Sequence, residues 1–196
     1  PPERIDSMEW AIGTESTNME VEAKLFREEI RDEIGMVKDR DPAVPQPYWT
    51  VATVGETTVD GVELQLKVRI EKSLLSLAYA NTRASGQRLT EINPELTVDG
   101  SDAVPRHTVN AMFSQRLAGG VSAGVNYYYV SPMKFYSGDF TDGVRSLDFN
   151  ISKRFNVFGR EATLRLLQKN LSGSYYDFEE ETVSKRSVYL TLDVEI

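Results

Sequence analysis

Residues 121–157 contain the most regular alternation of side chains in the chain, and this alternation limits the folds that the sequence can adopt. In residues 121–129 every second side chain is apolar or aromatic, and the side chains between are small or polar. After a polar connection the same pattern returns in residues 147–157, where the polar positions also carry charge. A period of two is typical of β-strands with one apolar and one polar face.

The alternation continues through the rest of the chain and predicts about nine strands. The other alternating segments are residues 8–14, 19–25, 48–70, 75–82, 109–117, 162–169 and 188–196. We expect a bend near Gly55 or Gly61 in the long third strand, because glycine inside a strand often marks a bend or a bulge. The predicted fold class is all-β, an antiparallel up-and-down meander.

Residues 26–34 are ambiguous. Phe26, Ile30 and Ile34 are spaced by four, which is a helical spacing, and glutamates that favour helices lie between them. However, no capping residue and no break separates this segment from Leu25. We therefore favour a strand that continues from residue 25, with a helix as the alternative.

The predicted connections alternate in length. Short turns fall near residues 15–18, 71–73, 118–120 and 158–160, and long loops near 35–47, 83–105, 131–145 and 172–186. Alternate connections of a meander lie at the same end of the sheet, so one end would carry the turns and the other end the loops. Outer-membrane β-barrels have this asymmetry. Residues 1–196 are therefore predicted to form a single segment of a transmembrane outer-membrane β-barrel.

Composition excludes several classes of function. A net charge of −8 and a pI of about 4.8 argue against a nucleic-acid-binding protein, which needs a basic surface. The absence of cysteine excludes disulfides and thiolate metal sites. No apolar run approaches the roughly 18 residues of a membrane-spanning helix, and no signal peptide opens the chain. These features leave a cytosolic protein, a mature product or a piece of a longer chain.

Several segments resemble, in order and spacing, the C-terminal barrel strands of TonB-dependent receptors. They are residues 54–64 (VGETTVDGVEL), residues 9–15 (EWAIGTE) after Pro2 and Glu3, Phe26 with Ile30, Asp32 and Ile34, and residues 167–171 (LQKNL) before Tyr175 and Tyr176. In that family a small-residue stretch precedes a Gly-hydrophobic-Glu motif, and an alternating strand ends the chain. The resemblance covers essentially all 196 residues and favours a strand at 26–34.

The resemblance implies the C-terminal barrel portion of a receptor that imports a scarce nutrient, such as a ferric siderophore, across the outer membrane of a Gram-negative bacterium. The implied partners are outer-membrane lipid, the remaining barrel strands and plug of the parent receptor, and a small-molecule ligand such as an iron chelate. No enzymatic activity, cofactor, metal site or nucleic acid is expected. Three features depart from the family. The plug domain and the TonB-contacting segment are absent from these residues, about nine strands fall short of 22, and Ile196 replaces a terminal aromatic.

The polar face and the loops supply the candidate binding residues. We expect six cations to line the lumen of the barrel: Lys67, Arg69, Arg116, Arg154, Arg165 and Lys169. They would contact an anionic ligand or a plug, or, as the favoured alternative, pair across strands with Glu63, Asp148, Asp193 and Glu195. Weak candidates for ligand contact are Tyr128, Lys134, Phe135, Tyr136, Arg154, Arg165, Lys169, Tyr175 and Tyr176.

Other conspicuous residues have ordinary interpretations. Tyr127 and Tyr129 are expected in an interfacial aromatic girdle, with Tyr128 turned to the lumen. His107 is expected to be a surface or interface residue, because the chain has no second histidine, and no Gly-x-Ser-x-Gly motif accompanies it. Acidic clusters at residues 28–29, 32–33 and 179–181 lack the spacing of a calcium loop and are expected to be solvated loop charge.

Two other architectures remain open. The first is a complete small barrel of eight to ten strands, a pore or an adhesin, in which the first strand would pair with the last. The second is a soluble all-β ligand-binding module. In that module Leu66, Phe149 and Leu190 would pack in a dry interior, with Arg154 and Glu63 on the surface.

Overall fold

The structure is a computed structural model that describes residues 2–39, 48–89, 97–99, 104–134, 140–173, 175–176 and 183–195. Its strands are β1 (Arg4–Glu15), β2 (Met19–Asp39), β3 (Tyr48–Ile70), β4 (Ser73–Leu89), β5 (Thr97–Asp99), β6 (His107–Arg116), β7 (Val121–Val130), β8 (Met133–Lys134), β9 (Phe140–Thr141), β10 (Val144–Val157), β11 (Arg160–Lys169), β12 (Tyr175–Tyr176), β13 (Val183–Ser184) and β14 (Ser187–Val194). One antiparallel sheet has the order β1-β2-β3-β4-β6-β7-β10-β11-β14, with β5 against β4. The predicted all-β meander of about nine strands is confirmed.

The short strands form two hairpins at the end of the sheet that carries the long connections, which we call the loop end. Strand β8 pairs with β9, and β12 pairs with β13. The opposite end, the turn end, carries tight connections. In the turn from β10 to β11, Phe158 and Gly159 have φ of 51° and 78°, the positive values that a type I′ turn needs. Within the described ranges, no helix has the length and the hydropathy to span a bilayer.

Residues directly opposite one another across the sheet share a face, and we call each such series a register row. One row near the middle of the sheet contains Leu66, Leu77, Ala111, Tyr127 and Leu147. This apolar face is open, since Leu77 is 38%, Leu64 45% and Leu190 69% exposed. We call it the outward face, and the opposite polar face the inner wall.

The sheet encloses no dry interior of its own. In the described part of the chain, the buried apolar residues are Val54, Ala84, Met133 and Ala162. The accessible surface is 13833 Å², whereas a compact globular protein of 22.1 kDa would expose roughly 9,300 Å². A soluble module with a packed interior is therefore the wrong interpretation, and the apolar outward face suits hydrocarbon.

Strands β2, β3 and β4 are longer than a membrane requires. They have 21, 23 and 17 residues, whereas β6, β7 and β11 have 10 each. At about 3.3 Å per residue, β3 is about 75 Å long, and a hydrocarbon core is about 30 Å thick. In a membrane barrel, part of these strands would stand outside the hydrocarbon, at the loop end.

The outward face changes character at the row that contains Trp10, Leu25 and Val62. The next row toward the loop end joins Met8 to Arg27, Asp60 and Arg83. In outer-membrane barrels, charged side chains are unfavourable on the part of the outward face that contacts hydrocarbon. We call the part of β1–β4 beyond the Trp10 row the extension; it comprises residues 4–9, 26–39, 48–61 and 82–89.

The structure confirms one expectation about these connections and corrects two others. Residues 26–34 are strand, so the favoured interpretation is confirmed and the helical alternative is wrong. Strand β2 continues to Asp39 and β4 to Leu89, so the loops expected near 35–47 and 83–105 begin several residues later. The loops expected near 131–145 and 172–186 contain the two short hairpins.

A bulge interrupts the pairing of β2 with β3 inside the extension. Asp32 has a φ of 54°, and the register shifts between Ile30 and Glu33 and again after Glu33, opposite Gly55. Gly55 is one of the two glycines expected to bend β3. The backbone amide of Ile34 donates a hydrogen bond of 3.1 Å to Glu3 Oε2, so a side chain satisfies an amide beyond the end of β1.

The two margins of the sheet do not meet. Strand β1 pairs with β2 alone and β14 with β11 alone among the strands that the structure describes. The closure of the first strand on the last, which a complete small barrel would require, is not present between them.

Candidate functional site

The inner wall is built from the polar positions of the alternating strands. One row near its middle contains Gln65, Ala78, Asn110, Tyr128 and Ser146. Tyr128 therefore belongs to the inner wall, whereas Tyr127 and Tyr129 lie on the outward face, as expected. The register also places all six cations expected in the lumen on this wall.

The ion pairs of the wall differ from the expected ones. Lys67 Nζ lies 3.5 Å from Glu20 Oε2, and Arg154 Nε lies 3.0 Å from Glu161 Oε1. Glu63 pairs instead with Lys24, at 2.8 Å, and Lys24 also reaches Glu9 at 3.4 Å. The expected pairing with Glu63, Asp148, Asp193 and Glu195 is therefore wrong for the side chains that the structure describes.

Four of the six cations form no ion pair with the part of the chain that is described: Arg69, Arg116, Arg165 and Lys169. All four are exposed on the inner wall. Unpaired guanidinium and ammonium groups on a polar wall are available to anionic groups from outside this sheet.

The candidate ligand residues separate into two groups. Tyr128 lies opposite Ser146, and Lys169 ends β11, both toward the loop end. Arg154 lies eight residues beyond Ser146 along β10, which corresponds to about 26 Å, and Arg165 lies opposite Ser152 near the turn end. One small ligand cannot contact both groups.

The remaining candidates lie in the loop-end hairpins. Lys134 belongs to β8, and Tyr175 and Tyr176 form β12. Phe135 and Tyr136 lie outside the described residues. The loop-end group therefore consists of Tyr128, Lys134, Lys169, Tyr175 and Tyr176.

Asn170 organises the rim of the wall at the loop end. It has a φ of 56° and is 4% exposed. Its backbone amide donates to Asp148 Oδ1 at 2.9 Å, its Nδ2 donates to the Ser184 carbonyl at 2.8 Å, and its Oδ1 accepts from Ser172 Oγ at 3.1 Å. These bonds connect the end of β11 to β10 and β13. The residues around Asn170 contributed to the family resemblance, but no sequence pattern indicated this role.

A polar and aromatic belt crosses the outward face near the Trp10 row. Tyr79 Oη and His107 Nδ1 are 3.0 Å apart, and Asn81 Nδ2 lies 3.3 Å from the same nitrogen. The guanidinium of Arg145 lies 5.6 Å from the centre of the Tyr129 ring. Amphipathic rings of this kind suit the boundary between hydrocarbon and headgroups. His107 thus lies exposed on the outward face, in contact with Tyr79 and Asn81.

The outward face of the extension carries an ion-pair network. Glu29 pairs with Arg31 at 2.8 Å and with Arg27 at 3.2 Å, and Arg31 lies 3.9 Å from Asp6. The hydrogen bond from Arg31 holds the pKa of the Glu29 carboxylate below its usual value. Residues 28–29 and 32–33 thus lie in β2, so the expectation that these acidic clusters are loop charge is wrong. In the described part of the chain no group of three or more acidic or histidine side chains could hold a metal ion.

A family model for the barrel of TonB-dependent receptors ("TonB dependent receptor-like, beta-barrel") matches residues 2–171. The chain belongs to the TonB-dependent receptor family. Members of this family are transport receptors with a plug and a barrel in the outer membrane of Gram-negative bacteria. No curated protein sequence matches the chain.

Solved receptor structures have the same fold as this chain. The ferric-catecholate import receptor Fiu from Escherichia coli K12 superposes with a TM-score of 0.71 at 18% identity, over 98% of this chain and 27% of that one. The ferric preacinetobactin receptor BauA from Acinetobacter baumannii gives 0.70 at 17% identity, over 98% and 29%. The siderophore receptor PiuA from A. baumannii gives 0.65 at 20% identity, over 95% and 28%. The chain therefore spans less than a third of the length of these receptors.

Proposed function

We propose that this chain is the C-terminal part of the barrel of an outer-membrane receptor that imports a scarce nutrient such as a ferric siderophore. The observation that carries the proposal is a nine-strand meander with an apolar outward face and a polar, charged inner wall, in a chain of the TonB-dependent receptor family. The loop end would be extracellular and the turn end periplasmic. No catalytic step is involved.

The unpaired margins of β1 and β14 support a partial barrel. A sheet edge in hydrocarbon leaves backbone groups without partners, and each such group costs several kcal/mol. The remaining strands of the parent receptor would pair with both margins, and its plug would occupy the lumen.

The loop-end group of residues is the best candidate for the first contact with ligand. Tyr128 and Lys169 lie on the wall, and Lys134, Tyr175 and Tyr176 lie on the hairpins above it. Aromatic rings and cations suit an anionic, aromatic iron chelate. The receptors of similar structure that are named for ferric-catecholate import and for ferric preacinetobactin support this class of ligand.

Uptake by cells tests the proposal. A strain that lacks the gene for the intact receptor and a complemented strain are supplied with a panel of radiolabelled ferric siderophores under iron limitation. We expect uptake of at least one chelate only in the complemented strain. Equal uptake of every chelate by both strains would contradict the proposal.

A pair of adjacent tyrosines tests the ligand path. Tyr128→Ala removes a ring from the inner wall, and Tyr127→Ala removes one from the outward face, so the two variants share a strand and a residue type. We expect Tyr128→Ala to raise the Kd of the transported chelate about fivefold and Tyr127→Ala to leave it unchanged. Equal effects would remove Tyr128 from the ligand site.

A further inference from the structure

Two unpaired arginines lie in the same register row of the inner wall, near the turn end. The row runs Arg116, Ser122, Ser152 and Arg165 across the neighbouring strands β6, β7, β10 and β11. At about 4.8 Å per strand, the Cα atoms of the two arginines are about 14 Å apart. Long arginine side chains at this separation can approach one group from opposite sides.

The surface between the two arginines is low and polar. Ser122 and Ser152 make no side-chain hydrogen bond within the part of the chain that is described. In the adjacent row Asn150 lies over Gly124, and its Nδ2 is 2.9 Å from the position that a Cβ of residue 124 would take. A larger side chain at residue 124 would displace the Asn150 amide, so the glycine keeps this floor flat.

Charge distinguishes this row from its neighbours. Arg154 is close by on the same wall, but Glu161 neutralises it at 3.0 Å. Arg116 and Arg165 have no such partner among the described residues and are exposed. Two guanidinium groups and two hydroxyls in one register row are all hydrogen-bond donors, and a carboxylate accepts hydrogen bonds from arginine in pairs.

We propose that Arg116 and Arg165 form a carboxylate clamp that holds an acidic side chain of the protein segment filling the lumen, at the turn end of the barrel. This inference rests on the proposed function, in which the parent receptor supplies that segment. The position favours a resident segment over the transported ligand, because two unpaired guanidiniums near the exit would retain an anion that must leave. A resident acidic side chain is stabilised by the same two groups.

Zero-length cross-linking of the intact receptor tests the clamp. Arg116→Lys and Arg165→Lys keep the positive charge and replace the guanidinium by an amine, which a carbodiimide couples to a carboxylate in direct contact. Arg154→Lys is the matched control on the same wall, and its expected product joins residues 154 and 161. Mass spectrometry of the digested receptor identifies each linked pair.

We expect residue 116 or 165 to link to an aspartate or glutamate of the receptor that lies outside these 196 residues. The clamp is refuted if the control product forms while neither variant gives a link, or if both variants link only to carboxylates within the 196 residues. A link that forms only with added ferric chelate, and joins the lysine to the chelate, would also overturn it. The reaction needs no ligand and no energised membrane, so the uptake assay tests the proposed function separately.

Discussion

The two ends of β2 differ in the chemistry of the outward face, although the strand is continuous and paired with β3 throughout. Toward the turn end its outward residues include Val21 and Leu25, and toward the loop end they are Arg27, Glu29 and Arg31. Backbone pairing is common to both halves, so pairing specifies the strand but not the polarity of its outward side chains. In the proposed barrel, the row of Trp10 would mark the boundary between lipid and water.

The two halves also differ in what stabilises them. The outward face between the Trp10 row and the turn end, which we call the membrane band, exposes its large apolar side chains. In the proposed barrel, lipid would bury them. The extension contains Val54, Thr57 and Ala84, which are 3%, 6% and 5% exposed, and Thr57 Oγ1 donates to Glu33 at 3.2 Å. The extension thus has a small packed patch of its own.

A charge in the middle of the membrane band should have the largest effect. Leu77→Arg places a guanidinium in hydrocarbon, and we expect a loss of about 2–4 kcal/mol in the free energy of unfolding. Ala78→Arg, one residue further along β4, faces the inner wall between Gln65 and Asn110 and should cost much less. Denaturant titration of the intact receptor in phospholipid vesicles measures both, and equal losses would invalidate the assignment of the two faces.

The loop-end rim beyond β11 depends on side-chain hydrogen bonds, in contrast to the backbone pairing of the extension. Asn170→Ala removes two side-chain bonds at a buried position with positive φ, so we expect a loss of about 2 kcal/mol. Asn170→Gly removes the same bonds but tolerates the backbone conformation, and it should lose less. Hydrogen exchange of the β11 and β13 amides is the measurement. Unchanged protection in both variants would show that the rim does not need Asn170.

The bulge at Asp32 tests how much strain the extension contains. Asp32→Val puts a β-branched residue at a φ of 54°, and we expect a loss of about 1–2 kcal/mol. Asp32→Gly should be neutral or stabilising, because glycine adopts positive φ without strain. Urea unfolding of the two variants gives the comparison. A valine variant as stable as the glycine variant would mean that the bulge is absent in solution.

The smallest expected effect concerns the pH response of the extension. Because Arg31 lowers the folded-state pKa of Glu29, their interaction stabilises the extension above the carboxylate's ordinary pKa of 4.5. This contribution disappears as the pH falls through the lowered value. Urea midpoints followed by tryptophan fluorescence between neutral and acidic pH should decrease more in the native receptor than in Glu29→Gln. Identical pH profiles would exclude a stabilising role for the pair.

The sequence predicts the membrane band well because one face of these strands is apolar and the other polar, which produces a period of two. The same reasoning misses the ends of β2 and β4, since the outward face of the extension carries charged residues and the alternation of apolar and polar side chains fades after Leu25. The hairpins β8–β9 and β12–β13 contain two residues per strand, which is too short for any period to appear. The bulge at Asp32 also leaves no mark in composition.

For the inner wall, alternation correctly predicts which way a side chain points but not what it meets. Partners depend on strand register, and register places Glu20 beside Lys67 and Glu161 beside Arg154. Asp148, an expected partner of the cations, instead accepts hydrogen bonds from Ser146 and Asn170. The sequence therefore could not distinguish Arg116 and Arg165 from the other four cations of the inner wall.

The bare margins of β1 and β14 have a consequence for assembly. The eight residues of β14 present backbone amide and carbonyl groups along the unpaired edge of the sheet. The free-energy cost of leaving these groups without hydrogen bonds in hydrocarbon would exceed the 5–15 kcal/mol by which a typical protein is stable. A sheet inserted in the bilayer with unpaired edge strands is thus not a stable state. We expect these strands to insert into the bilayer in one concerted step, with β1 and β14 already hydrogen-bonded to the neighbouring strands of the receptor.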